Sequence, residues 1–190
     1  MTQIALFSSG NGTNAENIAK YFDKSIQINV AIIISNKHNA YVHQRAKALN
    51  IPSYSFTKEE IMEGTQLQEI LADYSIDYII LAGFLLKVPE ALLENYPNRI
   101  INIHPALLPK HGGKGMYGDR VHKKVIEIGD TQSGITIHYV NEKYDDGEII
   151  FQETCQIIQG DTYEDVAQKV HKLEYAHFPR IIEEVIVGKR

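Results

Sequence analysis

QIALFSSGNGTNAENIAKYF, residues 3–22, begins with a short apolar run, passes through a loop of glycine, asparagine, serine and threonine, and continues into a segment with helical spacing. Residues 3–7 read as a strand without polar alternation, the pattern of a strand covered on both faces. Residues 13–22 read as a helix, with Ile18, Ala19 and Phe22 on one side. A buried strand feeding a helix through a tight polar loop is the repeating unit of a parallel α/β sheet. The rest of the chain tests whether that unit recurs.

It does. Residues 26–35, IQINVAIIIS, are rich in β-branched side chains and read as a second strand. Residues 40–49 follow as a helix and 51–54 as a short strand. Thr57, with Glu60 three residues on, opens a helix expected to run to about residue 74. DYIILA, residues 77–82, is a further strand, followed by a short helix near 89–95 and a strand at 99–103. A helix is expected over 118–128, and strands over 134–140 and 148–158, close enough to pair as a hairpin. The last helix opens at Asp161, with Glu164 reaching back, and Pro179 inside it predicts a kink or break. The fold expected is α/β, a doubly wound, mainly parallel sheet with an antiparallel edge, in a single domain over residues 1–190. Ligands of such sheets bind beyond the carboxyl ends of the strands.

Bulk properties narrow the function. The chain has 190 residues, 44% hydrophobic and 23% charged, and a formal net charge of −5, which gives no global electrostatic case for nucleic acid. Cys155 stands alone and cannot form an internal disulfide. No stretch approaches the ~20 apolar residues of a membrane span, and the N-terminus lacks signal-peptide character. A cytoplasmic location follows as the expectation. The histidines show no clear metal spacing, and no metal is expected.

The first loop has three readings. Gly10, Gly12 and Ala15 fit a variant of the dinucleotide fingerprint, but Ser35-Asn36-Lys37 stands where an acid should bind a ribose, which counts against NAD and leaves a thin NADP option through Lys37. A single phosphate at the helix N-terminus is the second reading, with Gly12 allowing close approach and Thr13 and Asn14 supplying donors. The third is a helix cap at Asn11 or Thr13 with no ligand.

NIHPALLPK, residues 102–110, is the densest signal. Asn102 and His104 share one face of a strand end, and Pro105 and Pro109 stiffen the exit. An amide and an imidazole so placed can converge on one oxygen, which suits oxyanion stabilisation and proton transfer. Tyr144-Asp145-Asp146-Gly147 is either a plain turn or the source of a carboxylate that raises the pKa of His104. Lys110, His111, Lys114, Arg120, His122, Lys123 and Lys124 form either a basic lip for an anionic substrate or a solvated face.

SSGNGTN at 8–14, SNK at 35–37, LAGF at 81–84, NIHPALLPK at 102–110 and GITIHYVNEKYDDGEII at 134–150 together resemble the phosphoribosylglycinamide formyltransferases, folate-dependent enzymes of purine synthesis. The resemblance runs from residue 4 to about 179. It implies a Rossmann-like formyltransferase fold and transfer of a formyl group from 10-formyltetrahydrofolate, as co-substrate, to the amine of glycinamide ribonucleotide. It implies Asn102, His104 and Asp145 as catalytic residues, with protonated His104 and Asn102 holding the oxyanion. Asp145 is chosen over Asp146 because it stands seven residues after His138, the spacing that the resemblance implies. It further implies Gly12, Thr13, Asn14, His171 and Glu174 as ribonucleotide-binding, and Leu85, Leu86, Lys87, Val88, Asn102, Asn141 and Tyr144 as folate-binding. Leu85-Leu86-Lys87 departs from the family's arginine there, so contact through backbone is expected, and Lys58 is a doubtful substitute for another arginine. Cys155 is expected to be a spectator. The implied partners are small molecules, not nucleic acid or membrane, with the protein a monomer or homodimer. The chain's length leads us to expect neither the C-terminal domain of methionyl-tRNA formyltransferase nor the N-terminal domain of formyltetrahydrofolate deformylase. The alternatives are hydrolysis of formyltetrahydrofolate, transfer to another amine, or an inactive nucleotide-binding module.

Overall fold

The computed structural model describes residues 1–188. Its strands are β1 (Thr2–Phe7), β2 (Ile28–Ser35), β3 (Ser53–Ser55), β4 (Tyr78–Leu81), β5 (Ile100–His104), β6 (Gln132–Tyr139) and β7 (Ile149–Gln156). Its helices are α1 (Thr13–Phe22), α2 (Val42–Ala48), α3 (Lys58–Glu63), α4 (Thr65–Asp73), α5 (Glu90–Asn95), α6 (Asp119–Ile128) and α7 (Tyr163–Ile186). The strands form one seven-stranded sheet in the order β3-β2-β1-β4-β5-β6-β7. β1 runs parallel to β2 and β4, and β2 to β3, whereas β6 and β7 are antiparallel. This is the doubly wound, mainly parallel sheet with an antiparallel edge that the sequence predicts. The chain forms two compact units, one of Met1–Ile101 with the residues from Ile182 on, the other of Asn102–Ile181.

In the first unit Ile4, Ala5, Leu6 and Phe7 of β1 are buried, as are Ile32, Ile33 and Ile34 of β2. α1 buries Ala15, Ile18, Ala19 and Phe22, the stripe read from its periodicity. Burying an isoleucine, leucine or phenylalanine contributes about 1.5–3 kcal/mol, so these runs supply much of the drive to fold. The loop after β1 is fixed by backbone: Ser8 N donates to Ile34 O and Ser9 N to Gly83 O, both at 2.9 Å. Gly12 has φ +74°, and a Cβ there would stand 2.3 Å from Val42 Cγ2. Backbone strain and collision act together, so Gly12→Ala is expected to destabilise the protein by about 1–3 kcal/mol, read as a lower urea midpoint at unchanged slope. An unchanged midpoint would contradict that account.

The helix expected over 57–74 is two helices. Thr57 forms the predicted capping box with Glu60, but Gly64 at φ +80° ends α3 and starts α4. A left-handed residue cannot continue a right-handed ladder.

In the second unit β6 and β7 pair from Gln132↔Gln156 to His138↔Ile149. Gly134 lets them close, since a Cβ there would lie 2.0 Å from Glu153 O. The start of α7 is capped one residue later than expected. Asp165 N donates to Thr162 Oγ1 at 3.2 Å and Thr162 N to Asp165 Oδ2 at 2.9 Å. Asp161 instead accepts from Ile158 N and from the Lys169 ammonium. α7 also runs on through Pro179, so of the kink or break expected there the break does not occur. An interior proline costs about 3 kcal/mol; the fully buried Phe178 and Ile181 flanking it offset that cost. No helix among the described residues is long and apolar enough to cross a membrane.

Candidate active site

β5 alternates so that Asn102 and His104 lie on the same side of the strand. The turn that follows is held by more than its prolines. Leu108 N donates to Thr136 Oγ1 at 3.0 Å, and that hydroxyl donates to Ala106 O at 2.7 Å. Gln152 Nε2 donates to Leu108 O at 3.0 Å. Thr136 and Gln152, on β6 and β7, thus stitch residues 106–108 in place. Sequence reading missed both, because their partners are distant in the chain.

His104 is buried, and both ring nitrogens are accounted for. Nε2 lies 2.9 Å from the carbonyl of His111, which can only accept, so Nε2 carries a proton. Nδ1 faces Asp145 Oδ1 at 3.5 Å, near enough for charge attraction but beyond a good hydrogen bond. Asp145 Oδ2 accepts from Gly113 N at 2.9 Å. Burial pushes the pKa of His104 below the usual histidine value, outweighing the Asp145 charge and the His111 carbonyl, which both raise it. Asp145 raises the value, as expected of a neighbouring carboxylate, but loss of hydration is the larger effect, so the resting imidazole is neutral near pH 7 and not the protonated ring that was expected.

The paired aspartates point to different surroundings. The Asp145 side chain is 12% exposed and sits against His104, whereas that of Asp146 is 56% exposed and pairs with Lys143 at 3.4 Å. Gly147 is required beside them, since a Cβ there would meet Tyr139 O at 1.7 Å.

Asn102 has a partner that sequence reading missed. Its Nδ2 donates to His138 Nε2 at 3.0 Å, and His138 Nδ1 donates to Tyr139 O at 2.8 Å. Burial lowers the His138 pKa as well, so its ring is neutral and Nε2 accepts. His138 therefore fixes which way the Asn102 amide points and leaves one Nδ2 proton for a substrate oxygen. The signal was a polar residue within ITIHY, at a buried strand position that must find partners.

On α7, His171 Nδ1 lies 2.8 Å from Glu174 Oε2, which raises the His171 pKa. Glu174 is only 5% exposed. Its charge is felt at His104 and at His122, so a carboxylate stands in this neighbourhood. His122, expected on the solvent-facing basic segment, is 1% exposed on α6. The other basic residues of that segment mostly have local partners: Lys110 and His111 lie against Asp130, Lys124 pairs with Glu127, Arg120 lies over Tyr117 and Lys123 over Tyr163. That pattern does not favour a basic lip.

In the first unit the N-cap of α1 is Gly12, so the cap reading of Asn11 or Thr13 is not realised. Asn11 is instead clamped by Arg45, whose Nε donates to Asn11 O at 2.8 Å and Nη2 to Asn11 Oδ1 at 2.7 Å. Ser9 Oγ accepts from Leu85 N at 2.9 Å, tying this loop to the segment of Leu85, Leu86, Lys87 and Val88. Leu85 and Lys87 are exposed, while the Val88 side chain is buried in the core. In the second unit Asn141 Oδ1 accepts from Lys143 N at 2.9 Å, shaping the loop that carries the exposed Tyr144. No group of three metal-capable side chains occurs among the described residues. Cys155 lies on β7 opposite Ser133, its thiol pKa raised by burial.

Three buried histidines, His104, His122 and His138, have lowered pKa values, against one raised, His171. A lowered folded pKa means that the unfolded chain binds protons more readily, so stability is full above the unfolded value of about 6.5 and is lost as pH falls below it. His171 acts in the opposite sense. With three against one, the urea midpoint is expected to fall between pH 7 and 5; a midpoint that rises on acidification would refute this balance.

The formyl transferase model matches residues 2–182. The chain is 40% identical over 194 residues to the chloroplastic phosphoribosylglycinamide formyltransferase of Arabidopsis thaliana, covering 97% of this chain but 66% of that protein. It is 33% identical over 191 residues to the phosphoribosylglycinamide formyltransferase of Bacillus subtilis, covering 98% of this chain and 95% of that protein. The crystal structure of glycinamide ribonucleotide transformylase 1 from Symbiobacterium toebii superposes with a TM-score of 0.89 at 31% identity, covering 99% of this chain and 89% of that one. With its sheet order, its Asn102–His104 strand end and a match over nearly all its length, the chain belongs to the formyl transferase family.

Proposed function

We propose that this protein transfers the formyl group of 10-formyltetrahydrofolate to the amine of glycinamide ribonucleotide, a step of purine biosynthesis. The observation that carries the chemistry is the joint placement of Asn102, His104 and Asp145, with Nε2 of His104 committed to a carbonyl and Nδ1 turned toward Asp145. The names of the relatives support glycinamide ribonucleotide as the acceptor of a formyl group, and 10-formyltetrahydrofolate as the donor is our assignment from the sequence resemblance. The amine attacks the formyl carbon and a tetrahedral oxyanion forms. Asn102 Nδ2 donates to that oxygen. Neutral His104 takes the amine's proton at Nδ1, the imidazolium is steadied by Asp145 and stabilises the oxyanion, and the same proton passes to the folate nitrogen as its bond to carbon breaks. This ordering suits an imidazole that burial keeps neutral at rest.

Gly12, Thr13 and Asn14 are assigned the phosphate, at an α1 terminus whose N-cap is the glycine Gly12. Glu174, with His171, is assigned the glycinamide side, where a buried carboxylate suits an ammonium or amine donor. Leu85, Leu86, Lys87, Val88, Asn141 and Tyr144 are assigned the folate. One assay tests the reading: 10-formyltetrahydrofolate is supplied with and without glycinamide ribonucleotide. Tetrahydrofolate release only with the ribonucleotide is expected. Release without it would identify a hydrolase, and no release in either case would refute catalysis.

A further inference from the structure

The segment from Lys110 to Gly113 touches both members of the proton-transfer pair, and it does so with backbone. The His111 carbonyl accepts from His104 Nε2 at 2.9 Å, and the Gly113 amide donates to Asp145 Oδ2 at 2.9 Å. His111 occupies a left-handed conformation, φ +60°, and so does Asp145, φ +52°. Such conformations are uncommon for side-chain-bearing residues and persist where the surroundings hold them. For His111 the hold is visible: its imidazole Nε2 lies 2.6 Å from Asp130 Oδ2, and the ring is 6% exposed. Asp130 follows the Gly129 C-cap of α6 and donates its own N–H to Val125 O, so its carboxylate is mounted on a helix end. The neighbouring Lys110 ammonium also pairs with Asp130.

We infer that Asp130, acting through His111, is a positioning residue that fixes the tautomer and orientation of His104. The inference rests on the catalytic reading given above. The physical reason is a choice between two neutral imidazoles. Beside a carboxylate, the tautomer with its proton on Nδ1 is favoured, because Asp145 would accept it. That tautomer has no lone pair where the amine's proton must go. The His111 carbonyl selects the other tautomer, with the proton on Nε2, and leaves Nδ1 open. A side chain that holds the carbonyl in place therefore decides whether His104 begins the reaction as a base.

Two variants and one control test this. Asp130→Asn retains shape but loses the charge that grips His111, and His111→Gly removes the grip while tolerating the positive φ. Each is expected to lower kcat roughly 10- to 100-fold with KM for both substrates little changed, since orientation and not binding is lost. The acid limb of the kcat profile is expected to move to lower pH, because the carbonyl that favours the charged ring is no longer held against Nε2. In 15N spectra of histidine-labelled protein, the His104 signals are expected to move from the Nε2-protonated pattern toward the Nδ1-protonated one. Lys110→Gln, which leaves the His111–Asp130 contact in place, is expected to change neither kcat nor the spectrum. Unchanged His104 signals and an unmoved pH profile in both variants would overturn the inference, even if the melting temperature fell. An equal effect of Lys110→Gln would overturn the route through His111. The spectra need no turnover, so a tautomer change in a protein that transfers no formyl group would count against the catalytic reading alone.

Discussion

Asp145→Asn is expected to lower turnover by roughly 10²- to 10⁴-fold, the range for loss of a partner in proton transfer. The substitution changes little else. Asparagine tolerates the left-handed conformation that Asp145 adopts, φ +52°, and its Oδ1 can still accept the Gly113 N–H. What disappears is the negative charge 3.5 Å from His104 Nδ1. Without it the imidazolium formed when the amine is deprotonated has no counter-charge in a site that already penalises its protonation. Asp146→Asn is the matched control: its carboxylate pairs with Lys143 near the surface, and such a pair is worth so little that turnover should stay within about twofold. Steady-state rates with saturating substrates decide the matter. If Asp146→Asn is the crippling change and Asp145→Asn the mild one, the assignment of the acid is wrong.

Asn102→Ala is expected to cost roughly 10²- to 10³-fold in kcat, the size of a lost oxyanion donor. KM should move much less, because the donated bond strengthens only as negative charge develops. The substitution also leaves His138 Nε2 without its 3.0 Å partner, and an unsatisfied buried group costs about 1–3 kcal/mol. Stability should therefore fall with activity, and the two must be separated by assaying well below the melting temperature. Turnover within about fivefold of wild type, measured on folded protein, would remove Asn102 from the oxyanion site.

The alternating strands and helices were legible because periodicity is local. The apolar runs at Ile4–Phe7 and in β2 name buried strands wherever the rest of the chain lies. The boundaries that failed were set by backbone conformation. Gly64 looked like one more residue in a helical window until its φ of +80° divided the window in two. Pro179 pointed to a kink or a break, and the helix does not break there; the burial of Phe178 and Ile181 is a tertiary gain that no local propensity contains.

The same division runs through the site. Residue types and their strand-end position singled out Asn102 and His104 from the sequence, because period-2 geometry puts them on one face. The sequence also narrowed the acid to two neighbours. Choosing between them needed the turn that aims Asp145 inward and Asp146 outward, and seeing His138 needed the β6 register that sets it against Asn102. His104 shows the distinction most sharply. Its identity could be read from the chain, and its partner acid to within two neighbours, but its charge could not. That depends on how much water is excluded, on a 3.5 Å separation and on a carbonyl seven residues away aimed by Asp130. The sequence by itself determined the order of strands and helices and the chemical groups available. Tertiary structure alone decided solvation, tautomer and direction, because these depend on distances between groups that the chain keeps apart.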